Sequence, residues 1–424
     1  MTDRVMYFTR LTGNAQIQMI IEFAGRLDTE RLARAIRLSL EAEPILGCRF
    51  IRDRWRPQWL RIGNLDSLPL LELEEKKDSP CPTSTFLEQD LDPVQSPQLK
   101  GRIFRGDRDT LCLKISHLAA DAGAMKEVTY QIAETYRLLD RNAAYRPRVN
   151  VGGSRSLEQI HRRFSRSQRL RMLTCGLADD YRKVFPPAFW SLPYESLDHR
   201  NPVFLFRHFG KEHFVGWRAY AHAHGATLHD MFLAACFRAL EKTLRPRPGT
   251  PLRLMTTVDL RRYLPEKRGE AICNLLSLLQ VNLGPRLGKS FEETLSSVHI
   301  FMEKRKKARL GLDHDFFGHI MPRLLPFRLM ALLLERSAGK TGLKGPLGLT
   351  VTNMGPMDHR LLNFGHTPVT AAYLVTPLSY APFFTIGWSG YAETLTMSTG
   401  YCRSDYDSTL IQTILDLIEA EMPQ

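Results

Sequence analysis

His117 and Asp121 stand four residues apart in the stretch Ile115-Ser-His-Leu-Ala-Ala-Asp-Ala-Gly-Ala124, where almost every other side chain is small. A neutral imidazole has one nitrogen that accepts a proton and one that donates a hydrogen bond, so an oriented histidine can take a proton from a hydroxyl or amine near neutral pH. Upstream, apolar and polar residues alternate, which puts Leu111, Leu113, Ile115 and His117 on one face of a strand. From about Ala124 the apolar positions Val128, Ile132, Tyr136 and Leu139 fall at helical spacing. The local plan is therefore strand, tight turn, helix, with the histidine at the turn. Spacing alone leaves a second reading open, in which His117 is a core histidine bonded to a backbone carbonyl and Asp121 is the N-cap of the helix.

This stretch resembles the His-x-x-x-Asp-Gly motif of the condensation-domain acyltransferases. That group includes peptide-synthetase condensation domains, stand-alone polyketide-associated acyltransferases, alcohol acetyltransferases and the plant BAHD enzymes. The resemblance implies that His117 is the catalytic base and that Asp121 is structural, paired with an arginine from the second half of the chain. Met255-Thr-Thr-Val-Asp-Leu-Arg-Arg-Tyr-Leu-Pro265 is similar to the segment that supplies it and places Arg261 in that role, with Arg262 as the alternative. Residues 19–50 resemble the family's opening strand, helix and Pro-x-Leu-x-x-Arg turn, and residues 349–357 and 384–401 resemble its late core strands. The implied fold is α/β (α+β): two chloramphenicol-acetyltransferase-like lobes, each a mixed sheet covered by helices, with a channel between them and the histidine near its middle. We expect lobes at residues 1–185 and 186–424, with a crossover near 185–200 around Pro186-Pro187 and Pro193.

On the same resemblance, Gly123 supports the turn, Thr352 and Asn353 are the candidate oxyanion donors, and Ser116 and Trp388 line the channel. Two positions depart from the family pattern. Ser116 stands where peptide-forming condensation domains usually carry another histidine, and Ala122 separates Asp121 from Gly123. The implied activity is acyl transfer to an alcohol or amine, on a small molecule or a lipid. The implied donor is an acyl-CoA or a phosphopantetheine-linked acyl group on an acidic acyl carrier protein, as substrate, with no bound cofactor. Two alternatives stand beside it: a catalytically silent binding protein of the same fold, and a peptide-synthetase condensation enzyme acting in trans.

The rest of the composition narrows the class. The chain has 424 residues, 43% of them apolar and 24% charged, and lacks an apolar run approaching the roughly 18 residues of a membrane span. Neither a secretory leader nor a Cys-x-x-Cys pair is visible, and the 7 scattered cysteines suit reduced thiols in a cytoplasmic protein. A net charge of +13 favours an acidic partner, but no nucleic-acid-binding motif accompanies it, so we expect no nucleic acid. Arg155, Arg162, Arg166 and Arg169 fall roughly on one helical face, either to receive such a partner or as a solvated surface. Ile320–Arg336 is apolar with interspersed arginines, either a helix packed between lobes or one touching a lipid surface, and so a possible peripheral membrane contact.

Other motifs lead nowhere. His222, His224 and His229 with Asp230 read as part of a helix over Tyr220–Lys242, so no metal is expected, and Asp313–His319 reads as a polar loop. Gly339-Lys-Thr341 lacks the upstream glycine of a phosphate loop, and Gly152-Gly-Ser154 has the wrong spacing for a carrier attachment site. Tandem lobes resemble an internal pair, so a monomer is expected.

Overall fold

The computed structural model describes residues 3–53, 55–75, 83–170, 172, 192–246, 249–312, 326–332 and 349–423. In chain order the strands are β1 (Gln16–Phe23), β2 (Cys48–Ile51), β3 (Gln58–Arg61), β4 (Leu71–Glu75), β5 (Leu99–Arg105), β6 (Thr110–Ser116), β7 (Pro202–Phe209), β8 (Arg253–Asp259), β9 (Leu276–Asn282), β10 (Thr350–Met357), β11 (Val369–Val375), β12 (Leu378–Ser379), β13 (Thr385–Tyr391) and β14 (Thr394–Cys402). The first sheet runs β11-β1-β6-β5-β4, and the second runs β12-β14-β13-β10-β8-β9 with β7 along β14. Both are mixed: β4 and β5 pair in parallel in the first, as β10 does with β8 and β13 in the second.

The helices that matter here are α1 (Thr29–Ala42), α2 (Ala122–Arg141), α3 (Lys211–Ala223), α4 (Leu228–Leu244), α5 (Phe291–Lys307) and α6 (Ser408–Glu421). Ile36 and Leu40 of α1 and Val128 and Ile132 of α2 share a core with Met19, Ile21, Leu111 and Leu113 of the first sheet. Helices α4, α5 and α6 bury their apolar stripes against the second sheet, around Phe232, Val298, Ile414 and Trp388. Each sheet thus covers one face with helices, because a sheet's apolar face has to be buried against another layer.

Strand β11 comes from the second half of the sequence yet completes the first sheet beside β1, with Ile20 opposite Tyr373. The lobes are therefore not contiguous segments, and part of the expected crossover, residues 185–191, lies outside the described residues.

Strand β6 is buried throughout, on both faces. The short helix Ser84–Glu88 covers its polar side, where Lys114 donates to the Phe86 and Gln89 carbonyls and sits over the Phe86 ring. Burial lowers the Lys114 pKa to about 7. Tyr220–Lys242 is not one helix: α3 ends before Gly225, which takes a left-handed φ of 66°, and Thr227 opens α4 with a capping box to Asp230. The basic residues 155–169 form no single helical face. Arg155 precedes the short helix Glu158–His161 and bonds inward, while Arg162 and Arg169 pair with Glu270 and Glu158.

Cys48, Cys112, Cys236, Cys273 and Cys402 are buried, and Cys81 and Cys175 lie outside the described residues. Ile320–Arg336 is described only at 326–332, and Asp313–His319 and Gly339–Thr341 not at all. Among the described residues no helix is long and apolar enough to cross a membrane, and no group of His, Cys, Asp and Glu could hold a metal ion.

Candidate active site

Strand β6 delivers His117 to the seam between the sheets. Its backbone N–H donates to the Ala15 carbonyl just before β1, and Ala119 and Ala120 close a turn on Ser116. The ring is half-buried and lines a cavity of about 550 Å³, within the roughly 300–1,000 Å³ range of small-molecule sites. One wall is Ala15, Ile17 and the start of α2. The other is built from β8, β9 and β10 through Met255, Thr257, Leu276, Gln280 and Thr352.

The hydrogen bonds around His117 fix its chemistry. Nδ1 is 3.0 Å from the Ala120 carbonyl and 3.1 Å from Asn274 Oδ1. The Asn274 amide cannot be flipped without loss, because its Nδ2 donates to the His117 and Leu118 carbonyls at 2.9 and 3.2 Å. Two acceptors therefore face Nδ1, which carries the proton and leaves Nε2 with the lone pair. Burial holds the His117 pKa below the usual imidazole value, against the opposing charge of Asp121. The imidazole is thus a neutral base at pH 7, with its tautomer set by a residue 157 positions away.

Asp121 does not point at the imidazole. It is the N-cap of α2, accepting from the Ala124 N–H at 2.9 Å, and it also accepts from the Leu275 N–H at 2.6 Å. Arg261 Nη1 lies 2.9 Å from each of its oxygens, so the cap and the ion pair coexist in one side chain. Arg261 is 2% exposed and also donates to Glu127 at 3.1 Å and to the Cys273 carbonyl at 3.0 Å. Burial disfavours both charges. Even so, Arg261 and the two backbone donors hold Asp121 below the usual carboxylate range, and Asp121, Asp259 and Glu127 keep the guanidinium charged. Arg262 is exposed beside Tyr263.

Gly123 explains where the glycine has to be. A Cβ there would meet Arg261 Nη1 at 2.7 Å and Cζ at 3.0 Å. The residue in contact with the guanidinium is the one at 123, and both Ala122 and Gly123 line the cavity. Thr352 lines the cavity with its hydroxyl 2.6 Å from that of Thr257, so only one of the two protons can be used inside the pair. The other hydroxyl hydrogen is left for an acceptor outside the pair. Asn353 lines both the cavity and a neighbouring groove beside α3, its Oδ1 accepting from the Gly355 N–H.

Two expected channel residues lie elsewhere. Trp388 is fully buried in the second lobe, stacked on Phe232 with ring centroids 3.9 Å apart, because its β13 face points towards α4 rather than the cavity. Ser116 is buried behind the turn, accepting from the Leu118 N–H. Sequence reasoning missed Asn274; an isolated amide inside Ala271-Ile-Cys-Asn-Leu-Leu276 was the available signal. His229 is fixed by Thr256 at 2.9 Å, and His222 and His224 are exposed.

No protein-family model and no curated sequence matches the chain. Solved structures do. The first condensation domain of the CDA synthetase is 18% identical, with 99% of this chain and 95% of that one covered at a TM-score of 0.69. A trichothecene 15-O-acetyltransferase from Fusarium sporotrichioides is 12% identical, with coverage of 99% and 93% and a TM-score of 0.73. Polyketide synthase associated protein 5 from Mycobacterium tuberculosis is 14% identical, with coverage of 98% and 95% and a TM-score of 0.67. At these identities the likeness is one of fold: the chain folds as this condensation domain and this trichothecene acetyltransferase do, with mixed sheets covered by helices.

Proposed function

We propose that this protein transfers an acyl group from a thioester to an alcohol or amine, with His117 as the general base. The observation that carries the reading is the pair of acceptors on Nδ1, Ala120 and Asn274, which leaves Nε2 as a proton acceptor in a cavity between two lobes. As the acceptor oxygen or nitrogen attacks the thioester carbonyl, its proton moves to Nε2 and the carbonyl oxygen becomes an oxyanion. Collapse breaks the carbon–sulfur bond, and the departing thiolate takes the proton back from the imidazolium. No covalent enzyme intermediate is needed, since both substrates are bound together and the histidine only shuttles a proton. Base catalysis of this kind is worth about 10²–10⁴-fold, with positioning and oxyanion stabilisation supplying the rest.

The donor is an acyl-CoA or a carrier-bound acyl group, and the acceptor a small molecule or a lipid. The test is thiol release from acyl-CoA thioesters of graded chain length and from acylated carrier proteins, with and without a panel of alcohols and amines. Acceptor-dependent release with a matching ester or amide by mass spectrometry is expected. Release that no acceptor stimulates from either donor would overturn the reading in favour of a silent binding protein.

A further inference from the structure

The turn between β2 and β3 holds Trp55 out in solvent, 62% exposed, while its backbone carbonyl accepts from the Phe327 N–H at 3.2 Å. Residues 326–332, which include a helical stretch from 327, have two unlike faces. Phe327 and Met330 are buried with Tyr7, Phe50 and Leu118, whereas Leu329 and Leu332 are 42% and 44% exposed. Trp55, Leu329 and Leu332 line one shallow groove together with Arg52 and Arg328. Arg56 is exposed on the same turn, and the carboxylate of Asp53 accepts from the Trp55 and Arg56 backbone N–H groups.

Single exposed apolar residues are ordinary, but a tryptophan and two leucines on one surface ringed by arginines are a patch. We propose that this face seats the protein on an anionic lipid surface. Indole and leucine side chains suit the headgroup and upper acyl region, and guanidinium groups suit lipid phosphates, at about 1 kcal/mol for each basic residue near the surface. The inner face of the same segment packs on Leu118, next to His117, and Tyr7 adjoins Met6, which lines the cavity. A substrate with a long apolar chain would then reach the cavity from the membrane side. That last step rests on the acyl-transfer reading; the docking does not.

Flotation of the full-length protein with phosphatidylcholine vesicles, with or without phosphatidylglycerol, tests the docking without any substrate. Binding that needs phosphatidylglycerol and weakens with salt is expected. The triple variant Arg52→Ala, Arg56→Ala, Arg328→Ala should bind about a hundredfold more weakly, from the loss of three such contacts. Brominated lipid should quench part of the tryptophan emission, and Trp55→Phe should abolish that part. Because these side chains are exposed, their replacement leaves the core intact, and circular dichroism verifies this. No flotation, equal flotation on neutral vesicles, unchanged binding of the triple variant, or quenching that survives Trp55→Phe would each overturn the proposal. None of these outcomes bears on whether His117 supports transfer.

Discussion

Replacing Asp121 with alanine removes a carboxylate that caps α2, accepts from the buried Leu275 N–H and neutralises Arg261. Loss of an N-cap costs about 1 kcal/mol, and stranding one partner of a buried ion pair costs about 3–5 kcal/mol. Arg261 keeps Glu127 at 3.1 Å and Asp259 at 3.3 Å, which moderates the second cost. We therefore expect Asp121→Ala to lose about 3–4 kcal/mol of unfolding free energy, measured by urea denaturation at pH 7. The double variant with Arg261→Met should recover part of that loss, because the uncompensated cation is gone. Asp121 has its folded pKa lowered, so its contribution is fully present above the unfolded value near 3.9 and is lost as pH falls through the folded value. The gap between wild type and Asp121→Ala should accordingly hold constant around neutrality and close only in acid. A variant within about 1 kcal/mol of wild type at pH 7 would refute the idea that this carboxylate locks the turn.

Other consequences follow from the same geometry. Gly123→Ala should cost about 1–3 kcal/mol by pressing on a guanidinium that cannot retreat, whereas Ala122→Gly should change stability much less; thermal unfolding of both decides it. Asn274→Ala should lower kcat by about a hundredfold through misplacement of the imidazole, with KM little changed. Asn274→Asp would set a carboxylate against Nδ1, favour the imidazolium and move the acid limb of the kcat/KM profile to higher pH. Trp388→Ala should cost about 3–5 kcal/mol as a core truncation while the folded fraction keeps its turnover, the opposite of a channel residue.

The strand, turn and helix around His117 were readable because period-two and helical spacings are local and because small residues mark a tight turn. Asp121 could be recognised both as a cap and as an ion-pair partner, and the structure shows that these roles are compatible. Asn274 could not be found this way: its partner is distant in sequence, and a single amide in an apolar run has no periodic signature. The placement of β11 was hidden for the same reason, since its pairing partner β1 lies far away in the chain. Trp388 was misplaced because burial on β13 depends on which layer faces each side, and neighbouring residues of one strand point opposite ways. The arginines of 155–169 read as a free face because their acidic partners, Asp3 and Glu270, lie far away in the chain.

In the proposed mechanism the lone pair on His117 Nε2 drives transfer, so its removal should slow the reaction. Acceptor-dependent thiol release should be compared between wild type and His117→Ala near neutral pH, with folding of the variant verified by its unfolding midpoint. A fall of about 10²–10⁴-fold in kcat, with donor binding retained, is the expected result. A folded variant that transfers at close to the wild-type rate would contradict the account.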